Sequence, residues 1–113
     1  MNKKPLISIV VIFDRFREEK IIRLLESIRP QLDIYPAEVL LLHESNAPLA
    51  APVLAVPVRY ITIPEKKGIP FNRNKGIEHA HSDIIVFIDD DCWVQEHWLE
   101  SLVESLLKDE SLL

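Results

Sequence analysis

The stretch "IIVFIDDDCW", residues 84–93, carries a run of five apolar residues directly into Asp89, Asp90 and Asp91. A continuous apolar run that is rich in β-branched residues is typical of a strand buried on both faces of a parallel sheet. Three adjacent carboxylates repel one another unless a positive charge compensates them. The stretch therefore predicts an α/β sheet with a charged site at the end of one strand.

The rest of the chain alternates between strand and helix patterns. Strand patterns cover residues 6–13, 38–42, 58–63 and 84–88. Helical spacing of apolar residues covers residues 16–28, 70–80 and 97–108, and residues 47–57 form a proline-rich loop. The last helix carries one apolar stripe, made of Trp98, Leu102, Leu106, Val103 and Leu107. The alternation predicts one Rossmann-like domain over residues 1–113, a mostly parallel sheet of about four strands with helices on both faces.

Composition limits the partners and the compartment. The formal net charge of −5 argues against a nucleic-acid partner. A single cysteine, Cys92, has no partner for an internal disulfide, which indicates the reducing cytoplasm. No apolar run reaches the roughly 20 residues that span a bilayer. We therefore expect no transmembrane segment, and any membrane association is expected to be peripheral.

Ligands of open α/β sheets bind outside the carboxyl ends of the strands. The polar residues that follow the four predicted strands are Asp14 and Arg15, then His43, Glu44, Ser45 and Asn46, then Glu65, Lys66 and Lys67, and finally the three aspartates. Because side chains alternate along a strand, Asp89 and Asp91 are expected to share one side and Asp90 the other. Two carboxylates on one side suit Mg²⁺ or Mn²⁺, and such a cation predicts a phosphate-bearing ligand.

Several less specific interpretations stand beside this one. The aspartates are also suited to cap the N-terminus of a helix. The only glycines, Gly68 and Gly76, form neither a P-loop nor a dinucleotide fingerprint. Histidines at 43, 79, 81 and 97 lack zinc-ligand spacing and are expected at the surface. We expect Cys92 to be a small buried residue, and Trp93 and Trp98 to belong to the core or to a pocket wall.

Five segments together resemble the family 2 glycosyltransferases. They are "ISIVVIFDR", "RLLESI", "EVLLLHESN", "KKGIPFNRNKGIEHAHSDIIVFIDDDCWV" and "HWLESLVESL". The part from Gly68 to Asp91 is the most specific, since it contains in order a Gly, an Arg-Asn pair, a Gly-Ile, an Ala and an apolar strand that ends in Asp-x-Asp. The resemblance implies the nucleotide-binding half of the GT-A fold.

The resemblance also implies roles for individual residues. Asp91 would bind the divalent metal, Mn²⁺ or Mg²⁺, with Asp89 beside it on the ribose or sugar side of the donor. Arg73 matches an arginine near the nucleotide, and Glu44 or His43 stands where the family has an aspartate that contacts the base. This position departs from the family pattern, as does "IFDR" in the first loop. The expected nucleotide-sugar-binding residues are Asp14, Glu44, Arg73, Asp89 and Asp90.

By resemblance the protein is an enzyme that transfers a sugar from a nucleotide-diphosphate sugar, most simply a UDP-sugar, to a hydroxyl of a saccharide or lipid with inversion. Members of the family continue into an acceptor-binding half that includes the catalytic base. We expect that half and that base to lie outside this chain. Two alternatives stay open: a non-catalytic nucleotide-sugar-binding or interaction domain, and a haloacid dehalogenase-type phosphatase with Asp89 as its nucleophile.

Overall fold

The computed structural model describes residues 7–13, 18–44, 57–63 and 68–108. The elements in chain order are β1 (Ile7–Phe13), α1 (Glu18–Ile28), a short 3-10 helix (Arg29–Asp33), β2 (Ala37–Glu44), β3 (Arg59–Ile63), α2 (Ile69–His79), β4 (Ile84–Asp89) and α3 (Trp98–Lys108). Each predicted strand and helix is present within about two residues of its expected bounds. The predicted loop at 47–57 lies outside the described residues except for Pro57.

The four strands form one sheet in the order β3-β2-β1-β4, and every neighbouring pair is parallel. β1 lies in the middle, where Ile7 is opposite Ala37 on one side and Ile84 on the other. A parallel arrangement requires crossover connections, and α1 and α2 lie in two of them, from β1 to β2 and from β3 to β4. The predicted α/β fold class is confirmed.

The two faces of the sheet carry different helices. Alternate residues of the strands, among them Ile9, Val11 and Leu41, pack with α1 and α3 in the larger core cluster. The residues between them, among them Val10 and Leu40, face α2 in a smaller cluster. Since successive side chains of a strand point to opposite faces, this division assigns every strand residue to the α1/α3 face or to the α2 face.

The apolar surface of α3 differs from the predicted stripe. Leu99 and Val103 are the buried residues of this helix, whereas Trp98, Leu102 and Leu106 are only partly buried. The side chain of Leu107 lies outside the described part. The stripe was wrong in omitting Leu99, because α3 divides its apolar surface between the core and an open cleft, which Trp98 and Leu102 line. None of the helices in the described ranges is long and apolar enough to cross a membrane.

Candidate functional site

The carboxyl ends of β2 and β4 direct two acidic side chains to the same face of the sheet. Glu44, the last residue of β2, follows the alternation of Leu40 and Leu42, which face α2. Asp89, the last residue of β4, shares the parity of Phe87 and also belongs to the α2 face. β1 lies between the two strands, whose backbones are therefore roughly 10 Å apart, and Glu44 lies two residues beyond Leu42, the β2 residue that is level with Asp89.

The three aspartates do not continue the strand. β4 ends at Asp89, and Asp90 and Asp91 form a turn that is closed by a hydrogen bond from the Cys92 N–H to the Asp89 carbonyl at 3.2 Å. This turn places the carboxylate oxygens of Asp89 and Asp91 and the Cys92 Sγ within 4.8 Å of one another. The two outer carboxylates are therefore close because of the turn, and not because of strand alternation as expected.

These side chains suit a hard divalent cation. Two exposed carboxylates supply the oxygen ligands that Mg²⁺ and Mn²⁺ prefer, so the residues fit the metal that the resemblance implies. Desolvation, followed by the negative charges of Asp91 and Asp89, raises the pKa of the Cys92 thiol. The thiol therefore stays protonated near neutral pH, and the oxygens of Asp89 and Asp91 are the better ligands.

Two expectations about this turn are overturned. Cys92 is exposed rather than buried, because the tight turn projects it away from both core clusters. The aspartates also do not cap a helix, because α3 begins only at Trp98 and Glu100 is the acidic residue of its first turn. The carboxylates of Asp89 and Asp91 therefore do not cap the N-terminus of α3, and both are exposed at the carboxyl edge of the sheet.

A cleft of about 850 Å³ opens beside the turn. Arg73, Phe87 and Asp89 line one side, and Trp93, Trp98 and Leu102 are among the residues that line the other. The Arg23 guanidinium carbon lies 3.6 Å from the ring centroid of Trp93, which is 55% exposed. Both tryptophans are thus cleft wall, one of the two locations expected for them.

Hydrogen bonds to α1 and to the 3-10 helix hold the connection between the turn and α3. The Ser27 Oγ accepts a hydrogen bond from the Val94 N–H at 3.0 Å. The Gln31 Nε2 donates to the Gln95 carbonyl at 2.9 Å, and its Oε1 accepts from the Leu99 N–H at 2.6 Å. These bonds fix the backbone that carries Trp93 and Trp98, and so they fix one wall of the cleft.

Of the two candidates for contact with a base, Glu44 is the one on the α2 face. It accepts a hydrogen bond from the Asn72 Nδ2 at 2.8 Å. His43 points to the other face, where it is only 7% exposed and stacks on Phe13 with 4.9 Å between ring centroids. The expectation that all histidines lie at the surface is wrong for His43, because the strand alternation turns it into the α1/α3 core.

The chain matches known proteins over most of its length. Residues 8–112 match the family model described as Glycosyl transferase family 2. The chain belongs to glycosyltransferase family 2. It is 30% identical over 112 residues to polypeptide N-acetylgalactosaminyltransferase 11 of Xenopus tropicalis, an alignment that covers 88% of the chain and 18% of that protein. It is 39% identical over 41 residues to glucosyl-dolichyl phosphate glucuronosyltransferase of Haloferax volcanii, covering 36% of the chain and 13% of that protein.

A solved structure has the same fold as this family 2 domain. The crystal structure of S. aureus TarS 1-349 superposes with a TM-score of 0.68 over 91% of this chain and 32% of the crystallised chain, at 18% identity. The expectation of a GT-A nucleotide-binding fold is confirmed by this likeness and by the family match. The domain spans less than a fifth of the length of each of the two curated relatives.

The family 2 domain brings together part of the predicted site. Arg73 and Asp89 line one cleft, Asp91 lies next to Asp89, and Asp90 is partly buried in the turn. Glu44 lies on the same face but is not among the residues that line this cleft. Asp14 lies outside the described residues, as do Arg15, Ser45, Asn46, Glu65, Lys66 and Lys67.

Sequence reasoning missed three residues that shape this site in the family 2 domain: Ser27, Gln31 and Asn72. Gln31 and Asn72 are buried polar residues, and Ser27 is partly buried. A polar side chain at a position that helical spacing assigns to the buried side of α1 was the available signal for Ser27. For the other two, the sequence offers no such signal, since their partners come from distant parts of the chain.

Proposed function

We propose that this glycosyltransferase domain binds a nucleotide-diphosphate sugar, with UDP as the nucleotide, through a divalent metal at Asp91 and Asp89. One observation carries the proposal. Asp89 and Cys92 line the 850 Å³ cleft, Asp91 lies within 4.8 Å of both, and Arg73 is on the same cleft wall as Asp89. Carboxylates that hold a cation, beside a guanidinium, complement the charge of a diphosphate.

The remaining residues have distinct parts in this proposal. Arg73 lies with its guanidinium carbon 5.4 Å from the Phe87 ring centroid, and from there it is suited to bind a phosphate oxygen. Glu44 accepts from a base N–H, and Asp89 orients the ribose or sugar side of the donor. Asp90 supports the turn between the two metal ligands. Trp93 offers an apolar surface for a sugar ring at the mouth of the cleft.

The proposed reaction is transfer of the sugar with inversion. The oxygen of an acceptor hydroxyl, on a saccharide or a lipid, forms a bond to the anomeric carbon while the bond from that carbon to the diphosphate oxygen breaks. A divalent cation, when bound, neutralises the charge that develops on the leaving diphosphate. The hydroxyl proton goes to a general base. The single cysteine supports a cytoplasmic location.

Calorimetric titration of the chain with UDP and with UDP-sugars, with and without Mn²⁺, tests the proposal. We expect binding that depends on Mn²⁺ and that is lost in Asp91→Ala. Asp33→Ala is the matched control, because Asp33 is an exposed aspartate at the end of the 3-10 helix. Metal-dependent binding that survives in Asp91→Ala would sink the metal assignment. Release of free sugar from a bound UDP-sugar separates an active domain from a binding domain without catalysis.

A further inference from the structure

The contact between Glu44 and Asn72 joins the end of β2 to α2. The Asn72 Nδ2 donates to the Glu44 Oε2 at 2.8 Å, and the side chain of Asn72 is 2% exposed. The orientation of the amide follows from chemistry, since a carboxylate attracts the NH₂ group and repels the amide oxygen. The Asn72 Oδ1 has no hydrogen-bond partner among the residues that the structure describes.

A purely structural link would not need an asparagine here. α2 already approaches the sheet closely, because a Cβ at Gly76 would lie 2.9 Å from the Val10 Cγ1 and 3.5 Å from the Phe87 ring. A buried amide whose oxygen is unpaired lowers stability, whereas an apolar side chain of similar size would pack without that cost. Departures of this kind from good packing are expected where a residue serves a binding site.

The hydrogen bond between Asn72 and Glu44 leaves the pair with a hydrogen-bond acceptor, the second carboxylate oxygen of Glu44. One carboxylate oxygen of Glu44 accepts from Asn72, so the other is held in a defined direction as an acceptor. An oxygen of this kind pairs with a ring N–H, as in uracil, and is repelled by a ring nitrogen that carries a lone pair, as at the corresponding position of cytosine. Arg73, the next residue of α2, lines the cleft with Asp89, so the pair is adjacent to the proposed donor site.

We propose that Asn72 is a positioning residue that sets the base preference of the donor site, by holding one carboxylate oxygen of Glu44 as an acceptor for a ring N–H. The inference rests on the proposed function, because it requires that a nucleotide binds at this edge of the sheet. Asn72 itself does not touch the reacting atoms. It acts through Glu44, and its removal leaves that carboxylate free to rotate.

Calorimetry in Mn²⁺ with UDP and CDP, which differ only in the base, tests the inference on the whole chain. We expect the unmodified chain to bind UDP at least about tenfold more tightly than CDP, the discrimination typical of a hydrogen bond to a charged group. Asn72→Leu keeps the number and branching of the side-chain heavy atoms and removes both the donor and the unpaired oxygen, so we expect it to fold and to narrow the preference to about twofold. Asn72→Ser retains a donor and is expected to keep part of the preference.

Two further variants separate positioning from stability. Ser82→Ala removes a buried side-chain hydrogen bond to Ser8 at the amino ends of the strands, away from the proposed donor site. We expect this change to lower the melting temperature and to leave the base preference intact. In a Glu44→Ala background, Asn72→Leu is expected to change the preference no further, because the two residues act as one unit.

The outcomes separate failure of this inference from failure of the proposed function. If the unmodified chain binds no nucleotide, both the proposed function and the inference fail. If it binds UDP and CDP equally, or if Asn72→Leu keeps the full preference, the inference alone is overturned and the donor site stands.

Discussion

The backbone N–H of Leu99 donates a hydrogen bond to the Gln31 Oε1 at 2.6 Å, across 68 residues of sequence. The first N–H groups of a helix have no partner within the helix, and a side chain just before the helix usually supplies one. At the start of α3 the partner comes instead from the 3-10 helix behind the sheet. The same Gln31 side chain also binds the Gln95 carbonyl, so one residue fixes the start of α3 and the loop before it.

Gln31→Ala is expected to lower the free energy of unfolding by about 1–3 kcal/mol, because it leaves the buried Leu99 N–H without its partner, whereas the Gln95 carbonyl still accepts from the Trp98 N–H. Urea denaturation measures the loss. Gln95→Ala is the matched control, since the Gln95 side chain is exposed and only its backbone carbonyl accepts from Gln31. A Gln31→Ala protein as stable as Gln95→Ala would contradict the role we assign to Gln31.

Glu38 lies near the amino end of β2, at the end of the sheet opposite to the proposed donor site, and three groups donate hydrogen bonds to its carboxylate. Ser8 donates to its carboxylate at 2.5 Å, Arg59 at 2.9 Å, and the His81 N–H at 2.5 Å. Burial alone would raise the pKa of Glu38, but these hydrogen bonds outweigh it and hold the pKa below its ordinary value of 4.5. The ionised carboxylate therefore stabilises the folded chain, and this stabilisation is complete only above the pKa of the unfolded state.

Glu38→Gln is accordingly expected to lose about 1–3 kcal/mol of stability at pH 7. As the pH falls from about 4.5 through the lower pKa of the folded state, the wild-type carboxylate takes up a proton. The difference between the two proteins should therefore shrink over this range. Urea denaturation at a series of pH values between about 7 and 3 gives the two curves. Glu26→Gln, at an exposed position of α1, is the control, and parallel curves for wild type and Glu38→Gln would refute the assignment.

Gly76→Ala is expected to destabilise the chain, although alanine favours a helix. The added Cβ would lie 2.9 Å from the Cγ1 of Val10, a stiff β-branched residue that is fully buried in the central strand. Overpacking costs about 1–3 kcal/mol and the gain in helix propensity is about 1 kcal/mol, so thermal denaturation should show a net loss.

Shortening the facing residue checks the cause of that loss. In a double mutant with Val10→Ala, the two changes should cost less than the sum of the single changes, because the clash is relieved. Strict additivity would show that Val10 is not what Gly76→Ala collides with.

Occupation of the donor site should protect Cys92 from alkylation. Its Sγ is exposed and lies within 4.8 Å of the proposed metal ligands. With UDP and Mn²⁺ at about ten times the dissociation constant, mass action leaves roughly one tenth of the sites open, and the rate of reaction with iodoacetamide should fall about tenfold. Asp91→Ala should react at the same rate with and without these ligands. A wild-type rate that saturating ligand leaves unchanged would place the ligand elsewhere.

The local elements were predictable because each depends on a short-range pattern. The run at residues 84–88 is apolar on both faces of its strand, and helical spacing of apolar residues marks α1 just as directly. Alternation of these elements implies a parallel sheet, since parallel strands need crossovers. The position of the aspartates after the fourth strand then placed the charged edge without knowledge of any contact.

Burial of single polar residues could not be predicted in this way. His43 lies within β2, and Cys92 follows the end of β4. His43 is nevertheless buried against Phe13, whereas Cys92 is exposed in a turn. The difference arises because the strand alternation continues through His43 and is broken by the turn after Asp89. The position of that turn depends on how the chain folds at the end of the sheet, and the spacing of apolar residues does not predict it.

The sequence by itself thus determined the parallel sheet, its helices and the acidic end of β4, because hydrophobic periodicity acts over neighbouring residues. Only the tertiary structure decided which polar groups meet: Asn72 with Glu44, and Gln31 with Leu99. These pairs are 28 and 68 residues apart in the chain. A hydrogen bond requires two groups within about 3 Å, and only packing of the helices against the finished sheet brings such distant groups to that distance.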